Sequence, residues 1–195
     1  DVTPEIEALA ALALENSCID PEDYVRYDVK RGLRDLNGKG VLAGLTEVSD
    51  IVAKKIVDGH ELPCDGKLYY RGIDVEQLVG QALKEGRFGF EETAYLLLLG
   101  RLPKAAELED FRRQLSYYRS LPNNFVRDVI LKAPSQDIMN SLARSVLNLA
   151  SYDDRCDDIS LPNVMRQCLQ LIALFPVLSV YGYQAYTYKS GNSLY

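Results

Sequence analysis

Proton transfer, metal ligation and nucleophilic attack each need imidazoles, thiols or carboxylates grouped within reach of one another, and this sequence offers few such groups. Its one histidine, His60, stands beside Glu61 and Pro63, matches no catalytic motif and reads as an exposed loop histidine. The four cysteines, Cys18, Cys64, Cys156 and Cys168, are scattered without a C-x-x-C spacing, which points to neither a zinc cluster nor a small disulfide framework and fits a reducing cytoplasm. With no histidine near them, Cys64 and Cys156 lack the base that a thiol nucleophile uses. Asp153, Asp154, Asp157 and Asp158 crowd around Cys156. That run lacks the alternating ligand positions, the central glycine and the closing glutamate of an EF-hand, so no metal site is assigned. Lys30, Arg31 and Arg34 fall toward the carboxyl end of a helical pattern, where cations suit the dipole. They read either as an anion or coenzyme site or, more simply, as a solvated helix end. Gly38-Lys39-Gly40 does not open a helix after a strand, and neither G-x-x-x-x-G-K-[ST] nor G-x-S-x-G occurs.

The elements that would position these groups are mostly helical. Thr3-Pro4-Glu5 is a helix start, with Ile6, Leu9, Ala10, Ala13 and Leu14 giving a modest apolar face to a peripheral helix. Asp20-Pro21-Glu22-Asp23 starts a second, with Val25, Val29, Leu33 and Leu36 on one side. Gly40 to Gly72 carries two short β-prone runs, one reaching Asp58-Gly59 and one at Leu68-Tyr69-Tyr70. Pro63 and Asp65-Gly66 between them predict a small hairpin with a loop of several residues over 60–66. Asp74 caps a helix to Glu85, with Val75, Leu78, Val79, Ala82 and Leu83 on one face. Phe90 to Leu99 is apolar on most sides, so it should be buried. Lys104 to Ser120 is the clearest amphipathic helix, with Arg112, Arg113 and Arg119 on its solvated face. A shorter helix follows Leu121-Pro122, and Ser135 or Asp137 can cap another to Ser151. That one has two apolar rows: Ile138, Leu142, Val146, Leu149 and Met139, Ala143, Leu147, Ala150. Leu161-Pro162-Asn163 opens a last long helix that Pro176 should kink.

The fold class expected is mainly α, helix packed on helix, with one small β-hairpin. Three segments are expected: an amino-terminal helical extension over 1–38, the hairpin segment over 39–73 and a helical body over 74–195. With 22 basic and 28 acidic residues in 195, the net charge is −6, and no basic block is dense enough to neutralise phosphates, so no nucleic-acid partner is expected. The acidic start Asp1-Val2-Thr3-Pro4-Glu5 is unlike a signal peptide. Gln167 to Tyr188 is long and uncharged enough to span a bilayer. Its glutamines, Pro176 and deeply placed tyrosines instead favour a helix buried in a bundle, with no membrane.

Four runs taken in order, GLTEVSDIVAKKIVDG, DGKLYYRGIDVEQL, FEETAYLLLLGRLP and LQLIALFPVLSVYGYQ, resemble the amino-terminal half of citrate synthases of the bacterial type, over roughly Gly40 to Lys189. The resemblance implies a multi-helical large-domain portion of an enzyme condensing acetyl-CoA with oxaloacetate to give citrate and CoA. It needs no cofactor beyond the acetyl-CoA substrate. That chemistry uses a carboxylate base, at least two histidines and arginines for the dicarboxylate, which in the family come from the later half. None of those motifs occurs here and one histidine is too few, so no catalytic residue is assigned and the chain alone is expected to be inactive. Arg71, in Tyr70-Arg71-Gly72, is the one substrate-binding candidate. It reads either as a buried guanidinium near the cleft or as a bridge from the hairpin to backbone carbonyls or a carboxylate of the helical body. The resemblance further implies a homodimer through the helices Ser135–Ser151 and Asn163–Lys189. 2-Methylcitrate synthase, using propionyl-CoA, and a non-catalytic helical interaction or regulatory module are the alternatives.

Overall fold

The computed structural model describes residues 2–30, 32–34, 38 and 40–191. Arg31 of the candidate anion site, Leu36 of the second helix, Lys39 and the tail 192–195 lie outside the described residues. The chain divides into two compact units, residues 11–108 and residues 1–10 with 109–195.

In the first unit, α2 (Pro21–Arg26) is capped by Asp20, whose carboxylate accepts from Glu22 N at 2.9 Å. The helix ends at Arg26, short of Val29 and Leu33. Asp28 turns to φ 49°, and Lys30 N then donates to Leu42 O at 2.7 Å, so the chain leaves the helix for an irregular loop. Val25 and Leu33, expected on a covered face, are exposed as a result.

The sheet has the order β1 (Ser49–Val57), β2 (His60–Tyr70), β3 (Ile73–Asp74), all antiparallel. The expected wide loop over 60–66 is not formed. Asp58 and Gly59 alone make the turn, at φ 51° and 75°, the two positive values that a type I′ hairpin needs and that match the strand twist. His60 pairs with Val57 inside β2 rather than lying in a loop. Pro63 and Asp65-Gly66 are accommodated by a register shift between Val52 and Lys54, which takes up the residues that read as turn formers. Every residue of β1 is exposed.

α3 (Val75–Lys84) and α4 (Phe90–Leu99) follow. α4 buries Tyr95, Leu96 and Leu99 and ends at Gly100, whose φ of 82° is the left-handed cap expected of glycine. The glycine has a second cause. A Cβ there would lie 2.5 Å from Asn16 Cβ.

α1 (Pro4–Glu15) starts under the Thr3 hydroxyl, which accepts from Ile6 N at 3.4 Å. It is less peripheral than its modest face suggests, with Ile6 and Ala10 buried. α5 (Ala105–Tyr117) buries Phe111 and Leu115 at a four-residue step.

In the second unit the segment after Leu121-Pro122 forms a single π-helical turn, Val126–Ile130, preceded by Asn124 at φ 62°. α6 (Ile138–Ala150) is capped by Asp137, which accepts from Asn140 N at 2.9 Å, while Ser135 accepts from Asp137 N outside the helix. α7 (Leu161–Lys189) runs through Pro176, which removes the ladder bond to Ile172. Phe125, Ile130, Leu149, Leu174, Leu178 and Ala185 make the core of this unit, with Leu142 and Val146 of α6 packed against it. Gly182 of α7 faces Ser141 of α6. α7 is long and apolar enough to cross a membrane by composition, with a third of its most apolar window buried, and it packs on α6 and the π-helical turn.

Candidate functional site

Arg71 occupies a tight backbone corner of the first unit. Tyr70 pairs with Ile73, so Arg71-Gly72 is a two-residue turn at φ 47° and 80°, and the non-glycine position is strained. Its own amide donates to Val48 O at 2.9 Å. The guanidinium donates to Leu97 O from Nε at 3.3 Å and from Nη2 at 3.0 Å. It also reaches Ser17 Oγ at 3.0 Å and Asn16 O at 3.5 Å. One side chain thus ties the base of the hairpin to the carboxyl end of α4 and to the segment after α1. A cation at the last carbonyls of α4 suits the helix dipole.

Beside it, Asp74 caps α3 by accepting from Glu76 N at 2.9 Å, and Lys67 lies 3.5 Å from Asp74 and 3.4 Å from Glu76. Those two carboxylates raise the Lys67 pKa. They flank a groove of about 280 Å³ floored by Ile51, Leu68 and Val75. Arg101 grips Glu107 at 2.8 and 2.9 Å, and Lys104 N adds a bond at 2.7 Å. Together they hold the Glu107 carboxyl at about 2.

The other expected sites do not assemble. His60 is exposed on β2 with only the hairpin around it. Lys30 is engaged by Asp28 at 2.6 Å and Arg34 by Gly38 O at 3.1 Å, so the pair makes no anion site. All four cysteines are free thiols. Among the described residues no group of three or more His, Cys, Asp or Glu converges to hold a metal.

The acidic run 153–158 has a structural use that its composition hides. Asp153 accepts from Arg166 Nη2 at 2.6 Å, and Arg166 Nε donates to Asn163 Oδ1 at 2.9 Å. Asn163 Nδ2 in turn holds the carbonyls of Arg155 and Asp158 at 2.9 and 2.7 Å. Burial raises the Asp153 pKa more than any single partner lowers it, but Arg166, the Arg155 amide and Gln167 together outweigh burial and the net shift is downward. Ser160 and Arg155 bring Asp158 to about 2. The signal for this cluster was present as Asn163 and Arg166, polar residues one turn apart in an otherwise apolar helix, since buried polar groups demand partners. A second groove, of about 600 Å³, lies along Asn123, Asn124, Arg127, Leu131 and Tyr181. Arg127 in it is committed to Asp128 by two bonds of 2.9 and 2.8 Å.

The order of hairpin and helices is shared with known proteins. The family model described as citrate synthase, C-terminal domain, matches residues 33–193. The chain belongs to the citrate synthase family. A citrate synthase of Haloferax volcanii is 33% identical over 132 residues, 67% of this chain and 29% of the relative. A 2-methylcitrate synthase of Mycobacterium tuberculosis is 25% identical over 177 residues, 91% of this chain and 39% of the relative. The crystal structure of citrate synthase from Pyrobaculum aerophilum superposes with a TM-score of 0.61 at 26% identity, covering 86% of this chain and 41% of that one. The chain thus spans about a quarter to two fifths of the length of the citrate synthase relatives it matches. The family is one of transferase-type enzymes, and its helix-dominated fold is the one observed.

Proposed function

We propose that this chain is part of the framework of a citrate synthase whose intact form condenses acetyl-CoA with oxaloacetate and water to give citrate and CoA. The 195-residue chain by itself is inactive on this reading. The observation that carries it concerns His60: the chain has a single histidine, and it stands exposed on a hairpin strand. A family member needs its acid–base groups from elsewhere in the polypeptide. Arg71 serves on this reading as the clamp between hairpin and α4 rather than as a substrate ligand, because its donors are engaged by protein oxygens. No cofactor is required beyond the acyl-CoA substrate.

The partner proposed is a second copy, joined through α6 and α7. Met139 and Leu147 of α6 are 73% and 74% exposed, and Val180 and Tyr183 of α7 are 61% and 57% exposed, so two helices present unused apolar rows. Free thiols suit a cytoplasmic location, and neither nucleic acid nor a membrane is proposed as a partner.

A second reading changes only the acyl group. The relative that aligns over 91% of this chain carries the name 2-methylcitrate synthase, which favours testing propionyl-CoA alongside acetyl-CoA. The experiment is thiol release from each acyl-CoA with oxaloacetate, by the 195-residue chain and by the product of its reading frame carried through the natural stop codon. Turnover by the longer product alone is expected. Turnover by the short chain would refute the framework reading, and silence from both would favour a non-catalytic interaction module.

A further inference from the structure

Where α6, α7, the π-helical turn and the segment after it meet, a cavity of about 10 Å³ is lined by Ile130, Pro134, Ser141, Arg144, Ser145 and Gly182. We infer that this cavity is the seat of one resident water, bound to Arg144 Nε and the two serine hydroxyls, that joins these elements. The volume admits about one water and nothing larger.

The hydrogen-bond polarity of the lining fixes the chemistry of the occupant. Arg144 donates through Nη2 to Ala133 O at 2.7 Å, which ties the arginine to the segment that follows the π-helical turn. Its Nε is buried, has its proton to donate and meets no acceptor of the protein. Ser145 Oγ donates to Ser141 O at 2.8 Å and Ser141 Oγ to Asp137 O at 3.3 Å, so both hydroxyl protons are spent along α6 and both oxygens present lone pairs. An occupant must therefore accept from Arg144 and donate to the serines. Water does both, whereas a halide can only accept and would face the serine lone pairs. A buried guanidinium N–H without a partner costs enough that the site is satisfied rather than dry.

Gly182 gives the test its handle. A Cβ at 182 would meet Ser141 Cβ at 3.7 Å, an ordinary contact, so alanine fits, and because Gly182 lines the cavity the added methyl is expected to crowd its occupant. Replacing a mid-helix glycine by alanine ordinarily raises Tm, by about 2–4 °C in a chain of this size. Here Gly182→Ala, measured at fixed protein concentration, is expected to leave Tm unchanged or lower it. In an Arg144→Met background, where the donor is gone, the same change is expected to raise it. A rise of the ordinary size in the unmodified background would mean a dry cavity and overturn the inference. Should Gly182→Ala fail to fold, electron density of the unmodified chain decides. An oxygen within about 3.2 Å of Arg144 Nε supports the water site. A protein acceptor in that place, or no density, refutes it, and replacing chloride by bromide is expected to leave no anomalous peak there.

Discussion

Arg71 shows how a residue that attracts a functional reading can also be engaged by architecture. Its guanidinium satisfies Leu97 O twice and Ser17 Oγ once, across a turn whose positive φ at a non-glycine residue needs outside support. Arg71→Ala is expected to cost about 2 kcal/mol in urea unfolding, because it strands a helix-end carbonyl. Arg71→Lys should recover little, since an ammonium cannot reproduce the forked geometry. An unchanged unfolding midpoint would argue instead for a ligand-facing side chain. The Arg166–Asp153 pair makes a sharper case, with side chains only 8% and 18% exposed. Asp153→Asn leaves Arg166 buried without its counter-charge and should cost about 3 kcal/mol, read from the same unfolding curve. Acid should act through the same groups. Asp158 and Glu107 titrate near 2 in the fold against ordinary values of 3.8 and 4.5. Folded pKa values below the unfolded ones mean that their stabilisation is complete above about pH 5 and is lost as pH falls toward 2. Carboxyl NMR titration checks it, and Arg101→Met should raise the Glu107 pKa while the Lys104 amide keeps it below the ordinary carboxylate value.

Among elements, the hairpin and α4 stand at opposite ends of a scale of local stability. β1 is exposed along its whole length, and a ribbon wet on both faces contributes little to global stability. Gly59→Val, which forbids the left-handed turn residue, should therefore abolish amide-exchange protection over 50–68 while moving the global melting midpoint by no more than about 2 °C. Gly100→Ala should behave in the opposite way. The new methyl would sit 2.5 Å from Asn16 Cβ at a residue with φ 82°, so α4 must shift or unwind its cap. A loss of more than about 2 kcal/mol in global stability is expected. A fully cooperative melt at an unchanged temperature would show that the contact relaxes freely.

For the molecule taken whole, the observations that matter are the apolar rows left uncovered and the fraction of the family's length present. Met139 and Leu147 lie outward on α6, and Val180, Tyr183 and Tyr188 outward on α7. Monomeric soluble proteins seldom leave large contiguous apolar patches in water. Sedimentation at tens of micromolar is expected to show self-association, and Leu147→Glu is expected to weaken it at least tenfold without lowering the melting temperature of the dilute chain. A compact monomer at those concentrations would count against the proposed pairing of α6 and α7.

The sequence by itself determined the family and the helical class. Helix caps, periodic apolar rows and glycine stops are local signals, and they placed α3 through α7 within a few residues, with Asp74 and Asp137 in their capping roles. The expectation that the family's acid–base machinery lies outside these residues rests on the count of one histidine, which needs no fold. Tertiary structure alone decided three things. Asp58-Gly59 prevailed over Pro63 and Asp65-Gly66 as the turn, since strand twist and register reward the tighter I′ geometry and a bulge absorbs the rest. α2 stopped at Arg26 because Leu42, distant in sequence, offered its carbonyl to Lys30 N. The partners of Arg71 and Arg166 lie up to 55 residues away, and hydrogen bonds closed over such separations leave no period or spacing in the sequence to read.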